Sequence, residues 1–185
     1  MVIPQPQKGR LLIAEPSILN DTSFNRSIIL LTEHSQNSSV GFILNKPMGY
    51  VLNDLIPEVN CKFTVYQGGP VEQDNLYFVH RIPEKLDGSI EVANGIYWGG
   101  NFNQLKELII NNEIENDQIR FFLGYSGWST NQLEDELNTH SWFISENNYD
   151  NIFNVNEETI WKDQLMQKGG EYKIWANAPS DISMN

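Results

Sequence analysis

The sequence predicts one α+β domain, and three observations predict it. Apolar runs punctuated by polar turn segments fill the first third of the chain, helical spacing of apolar residues begins only later, and no repeat, heptad or long linker divides the 185 residues. The links between the early strands are too short to hold crossover helices. The sheet is therefore expected not to be purely parallel.

The first strand is LLIA from Leu11, the second SIILLTE from Ser27 and the third SVGFILN from Ser39. Ile28 to Leu31 run without alternation, which predicts a central strand covered on both faces. Asn20–Ser23 and Ser35–Ser39 are polar and suited to hairpin-like connections. Val51–Ile56 is expected to form a short helix stopped by Pro57. Phe63–Tyr66 and Leu76–His80 read as strands separated by the rigid turn Gln67-Gly68-Gly69-Pro70. Leu105, Leu108 and Ile109 predict a helix over Asn103–Asn111, followed by a strand over Ile119–Leu123. A helix over Thr130–Thr139, a strand over Trp142–Ser145, a helix within Asn156–Gln167 and a frayed tail after Ser180 complete the expectation.

Composition supports a folded chain: 40% of residues are hydrophobic and 19% charged, with 9 Phe, 7 Tyr and 5 Trp. A lone cysteine, Cys61, cannot form an internal disulfide and fits a reducing compartment. MVIPQPQKGRLLIAEP lacks the continuous apolar stretch of a signal peptide, and no run is long enough for a spanning helix. The chain is expected in the cytoplasm, with no membrane partner, no metal site and no cofactor.

The net charge of −12 is unevenly spread: the first 62 residues balance, and the remainder carries the whole acidic excess. That field repels phosphate backbones, so direct nucleic-acid binding is disfavoured. An acidic surface is also the ordinary state of a soluble protein.

Three constellations have chemical interest. In FLGYSGWSTNQLEDEL from Phe122, a strand is expected to turn into a helix, with Ser129 as N-cap, Gln132 completing a capping box, and Trp128 packing on Leu133. Gly124 and Gly127 permit close backbone approach, so the N–H groups around Gly124, Tyr125, Ser126 and Gly127 are candidates for facing an anion. The structural alternative is a tight glycine corner under Trp128. Ser126 resembles the serine of a G-x-S-x-G elbow but lacks its final glycine, Trp128 standing there instead. In the first third, Arg26, His34, Asn45 and Lys46 are a mixture suited to holding a carboxylate or phosphate, with Asp21–Arg26 pairing and a strand-end role for His34 as the structural alternative. The third constellation, Gly68-Gly69, offers peptide N–H groups to a small pocket, or simply a turn.

The runs GRLLIAEPSILNDTSFNRSIILLTEH from Gly9, VGFILNKP from Val40, QGGPV from Gln67 and RFFLGYSGWSTNQLEDEL from Arg120 resemble, in order and over nearly the whole chain, the AlgH/YqgE family of bacterial proteins. Its pattern is matched at Pro16, Asp21, Phe24, Arg26, His34, Gly41, Asn45, Pro47, Gly68, Gly69, Pro70, Gly124, Tyr125, Gly127, Trp128, Gln132, Leu133 and Glu134. It is departed from at Asn131, where a glycine is usual, a change expected to make the helix start less open to a ligand. The resemblance implies a mixed, bifurcated sheet curled into a partial barrel and flanked by helices. It implies no reaction, and some members carry a transcriptional-regulator label.

The sequence thus points to a non-catalytic regulatory or adaptor protein that binds a small molecule or a protein partner. The alternative is an enzyme acting on a small anionic metabolite. In that version Arg26 and Lys46 hold the substrate, His34 transfers a proton, and the Gly124–Gly127 turn supplies oxyanion donors.

Overall fold

The computed structural model describes residues 4–18, 20–145 and 149–179, so the expected tail lies outside the described residues. β1 (Leu11–Ala14), β2 (Ile28–His34) and β3 (Ser38–Ile43) form an antiparallel meander. Ile28–Leu31 are fully buried, as a strand flanked by β1 and β3 and covered on both faces requires. β4 (Pro47–Val51) runs into the single-turn helix α1 (Leu52–Leu55), which ends at Ile56 because a residue before proline avoids the helical region.

β5 (Thr64–Gln67) and β6 (Val71–His80) flank the glycine turn, and β7 (Ile90–Ala93) and β8 (Ile96–Trp98) form a hairpin. Asn94 and Gly95, with φ of 46° and 80°, supply the turn that matches the natural twist of two paired strands. In α2 (Phe102–Ile110), the Asn101 side chain caps the start by accepting from the N–H groups of Asn103 and Gln104. β9 (Ile119–Ser129), α3 (Gln132–Asn138), β10 (Trp142–Ser145), α4 (Ile160–Lys168) and α5 (Tyr172–Ala176) follow.

The strands pair in the order β10-β1-β2-β3-β9-β6-β8-β7, with β5 joining β9 and β4 joining β5. β9 is where the sheet forks. Along one edge its C-terminal part, Ser126–Ser129, pairs antiparallel with β3, while Phe121–Leu123 pairs parallel with β5; along the other edge it pairs with β6. The sheet is mixed and open, since its pairing path ends at β10 and β7 without joining them. Its far end nevertheless returns towards its beginning: Lys8 donates to the Glu91 carbonyl of β7 at 2.8 Å, and Val92 and Ile96 share a core with Leu11–Ala14.

That first core joins β1–β3 to Trp128, Leu133, Trp142, Trp161 and Leu165. A second, including Leu52, Phe63, Phe78, Leu105, Ile109 and Phe121, packs α1 and α2 on β5, β6 and β9. Among the described residues, no helix is long and apolar enough to cross a membrane.

Candidate functional site

The glycine constellations meet at the fork, and the local reading of one of them is corrected there. Gly124-Tyr125-Ser126-Gly127 is not a strand-to-helix corner: β9 continues through it to Ser129, with an irregular pairing at Gly124, whose φ is 69°, and is held in the sheet by β6 on one side and β3 on the other. Gly68 fills the gap where β9 exchanges β5 for β3. Its N–H donates to the Leu123 carbonyl at 2.8 Å, while its carbonyl accepts from Ile43 N–H at 2.9 Å and from the Ser126 hydroxyl at 3.1 Å. Ser126 is completely buried, so its hydroxyl serves the fork and is closed to a substrate. A Cβ on Gly69 would collide with the Tyr125 carbonyl group at 2.2 Å, so this turn lies directly against β9.

The helix start also differs from the expectation. Asn131, not Ser129, precedes α3, yet the Gln132 side chain still reaches back to accept from Ser129 N–H at 3.0 Å, which is half of the expected capping box. Trp128 is buried in one core with Leu133. Its indole N–H and that of Trp142 both donate to Oε2 of Glu136 at 2.8 Å, and Phe24 stacks on Trp128 and meets Trp142 edge to face.

Arg26, Asn45 and Lys46 are brought together, as straps on the backbone. Asp21 does not take up Arg26 but accepts from the N–H groups of Ser23 and Phe24, each at 2.8 Å. Lys46 donates to the Ser23 carbonyl at 2.5 Å; Asn45 donates to the Arg26 carbonyl at 2.9 Å and accepts from Ile28 N–H at 2.9 Å. Arg26 Nη2 donates to the carbonyls of Ala178 and Pro179 at 3.0 and 2.7 Å, with the guanidinium 5.0 Å over the Trp161 ring. His34 stands apart at the end of β2, its Nδ1 2.8 Å from Ser39 Oγ and its Nε2 3.9 Å from Glu134. The single cleft that the enzymatic version needs is not assembled from these groups.

Two concavities lie elsewhere, and none of Arg26, His34, Asn45, Lys46, Gly68, Gly69 and the run 124–128 lines either, whereas Glu134, one of the positions that match the family pattern, lines the larger. The larger is a groove of about 960 Å³ between β10, α3, α4, α5 and Pro4–Pro6, walled by Leu137, Trp142, Phe143, Ile144 and Tyr172. Its polar centre is the buried Glu15 carboxylate, which accepts from Lys168 Nζ at 3.1 Å and from the Tyr172 hydroxyl at 3.0 Å. The same ammonium lies 3.6 Å from the Phe143 ring centroid and 4.0 Å from that of Tyr172, a cation held between two π faces. The available signal was Glu15 itself, a carboxylate directly after a fully buried strand.

The smaller, about 230 Å³, is built over Arg120. Arg120 is 4% exposed and donates through Nη2 to Leu44 O at 2.6 Å and to Glu157 Oε1 at 3.2 Å, with its guanidinium 3.7 Å over the Tyr66 ring. The Tyr66 hydroxyl donates to the same Glu157 oxygen at 2.6 Å. Burial, reinforced by Glu157 and opposed by Arg120, pushes the Tyr66 pKa up to about 12. Desolvation acts to raise the Glu157 carboxyl, but the bond from Tyr66 and the charge of Arg120 hold it below its ordinary value. The sequence signal was a cation inside the apolar run Ile119–Leu123, since a buried charge needs partners. Among the described residues, no group of three or more His, Cys, Asp or Glu is placed to hold a metal ion.

A sequence model of the AlgH-like family matches residues 11–173. A UPF0301 protein of Cytophaga hutchinsonii is 42% identical over 180 residues, covering 96% of this chain and 98% of its own length. One from Bacteroides fragilis is 36% identical over 182 residues, covering 97% and 92%. Among solved structures, the solution structure of the AlgH protein from Pseudomonas aeruginosa is similar with a TM-score of 0.74 at 22% identity, over 97% of this chain and 98% of that one. A crystal structure of a protein from Corynebacterium diphtheriae gives 0.77 at 24% identity, over 96% and 95%. At those identities the likeness speaks for the fold alone.

Proposed function

The chain belongs to the AlgH-like family, and from that premise we propose that it is a non-catalytic regulatory or adaptor protein of the cytoplasm whose working surface is the groove beside β10. The observation that carries this reading is the groove itself, about 960 Å³ of concavity walled by aromatic and aliphatic side chains around one ordered ion pair. Volumes of this order with few, fixed polar groups suit an apolar ligand body or the side chains of a partner. In this reading the open sheet is a partial barrel, and its unclosed edge, β10, is the edge that works. The groups first considered for catalysis support it from the other side: Ser126, Arg26 and Lys46 are committed to backbone carbonyls.

The test is thermal unfolding against a metabolite library, because a ligand that binds only the native state raises the midpoint. Asn138→Trp and Gln164→Trp fill the groove from α3 and α4 without removing a fully buried side chain. A hit whose shift disappears in both variants supports the reading. A hit that survives both, or turnover of the bound compound, would overturn it.

A further inference from the structure

The cavity over Arg120 shares no lining residue with the groove. Its floor contains an imbalance. A buried guanidinium is tolerated when its N–H groups are matched, yet among the described residues the buried Arg120 Nε meets no acceptor, and Nη1 reaches only the Phe153 carbonyl at 3.5 Å. Glu157 answers with a single oxygen, Oε1, already shared with the Tyr66 hydroxyl. Around this floor stand Lys62, Thr64 and Asn116, all on exposed residues. Two of the residues that line the cavity, Lys62 and Arg120, are cationic and none of them is acidic, in a chain whose net charge is −12.

The geometry points to a binding site for a small oxyanion, a phosphate or short-chain carboxylate, seated between Arg120 Nε and the Lys62 ammonium, with Asn116 and Thr64 as neutral donors. An entering oxyanion supplies the acceptor that Nε lacks, and a charge-assisted bond in a desolvated site is among the stronger polar contacts. The cavity, at about 230 Å³, is below the size range of sites for drug-sized ligands. A nucleic-acid strand would also meet the acidic remainder of the surface, so the occupant is a small free anion.

The experiment follows the Arg120 Nε–H resonance by nitrogen–proton NMR while inorganic phosphate or malonate is added at constant ionic strength. A saturable shift of that resonance with either anion is expected, and which one acts distinguishes the phosphate from the carboxylate source. Lys62→Glu, on an exposed residue, should weaken binding about tenfold or more, the scale of one charge-assisted contact. Lys173→Glu, on α5, should leave it unchanged. Silence of the Nε–H resonance with both anions, undiminished affinity in Lys62→Glu, or equal weakening by Lys173→Glu would each overturn the site.

Discussion

A methyl group on Gly68 would sit 2.1 Å from the Gly124 carbonyl oxygen, and one on Gly124 would sit 2.6 Å from that of Gly69. The colliding atoms are backbone, so no rotamer change relieves them, and Gly124 also holds a φ of 69°. Gly68→Ala and Gly124→Ala are each expected to cost roughly 3 kcal/mol or more in urea unfolding, the scale of an overpacked core with backbone strain. A loss under about 1 kcal/mol, the scale of surface sites, would mean that the fork can open without penalty. Trp128→Ala should cost about 3–5 kcal/mol, as the truncation of a buried aromatic does. That ring is 4% exposed and anchored on Glu136. An unfolding midpoint that hardly moves would contradict the packing around Phe24 and Trp142.

α3 shows how one residue accommodates an element. Asn131 adopts a φ of 61° immediately before the helix and still supplies the carbonyl that accepts from Asp135 N–H at 3.0 Å. Asparagine tolerates this left-handed conformation better than other side chains, which is a physical reason why glycine suits the position equally well. Asn131→Gly is expected to be neutral within about 0.5 kcal/mol, and Asn131→Ala to lose about 1 kcal/mol, the cost of a Cβ in that region. Equal midpoints for wild type and Asn131→Ala would show that the positive φ is not needed. The elements readable from sequence were those with local signals: β1, β2, β3 and β10 as short apolar runs, and α2 by its spacing. β9 was cut short because Gly-Tyr-Ser-Gly is locally a corner, while pairing with β6 and β3 keeps it in the sheet; strand formation is decided by such neighbours. The β7–β8 hairpin carried a usable Asn-Gly signal, whereas β4 and α5 carried little. The candidate site was less legible still. Arg26 finds its acceptors 152 and 153 residues away, and Arg120 its carboxylate 37 residues away, separations at which no spacing rule operates.

For the molecule as a whole, two buried side chains bound the pH range of full stability from opposite sides. His80 is completely enclosed; Nε2 donates to the Gly99 carbonyl at 2.9 Å, and Nδ1 accepts from Ile82 N–H at 3.2 Å, which fixes a neutral ring. Burial pulls its pKa below the ordinary 6.5, against the Gly99 carbonyl and Glu84. The unfolded chain therefore binds a proton at His80 before the folded one does, so this contribution is present above about pH 6.5 and is lost as pH falls. Glu157, held below its ordinary 4.5, adds a further loss in stronger acid. Tyr66 works in the other direction: its unfolded form ionises near 10 and its folded form only near 12, so stability is complete below pH 10 and declines as pH rises through that interval. Surface carboxylates complicate the acid side, since protonating them relieves the self-repulsion of a net charge of −12. The slopes of variants against wild type therefore carry the argument. His80→Gln should flatten the fall of Tm as pH drops below about 6.5, and Tyr66→Phe should flatten the dependence above pH 10 while leaving the His80 part of the acid limb in place and shrinking the Glu157 part, because it removes the bond that holds that carboxyl down. Variant curves that merely run parallel to wild type, lower by a constant amount, would place the titration in other groups and remove both side chains from the account.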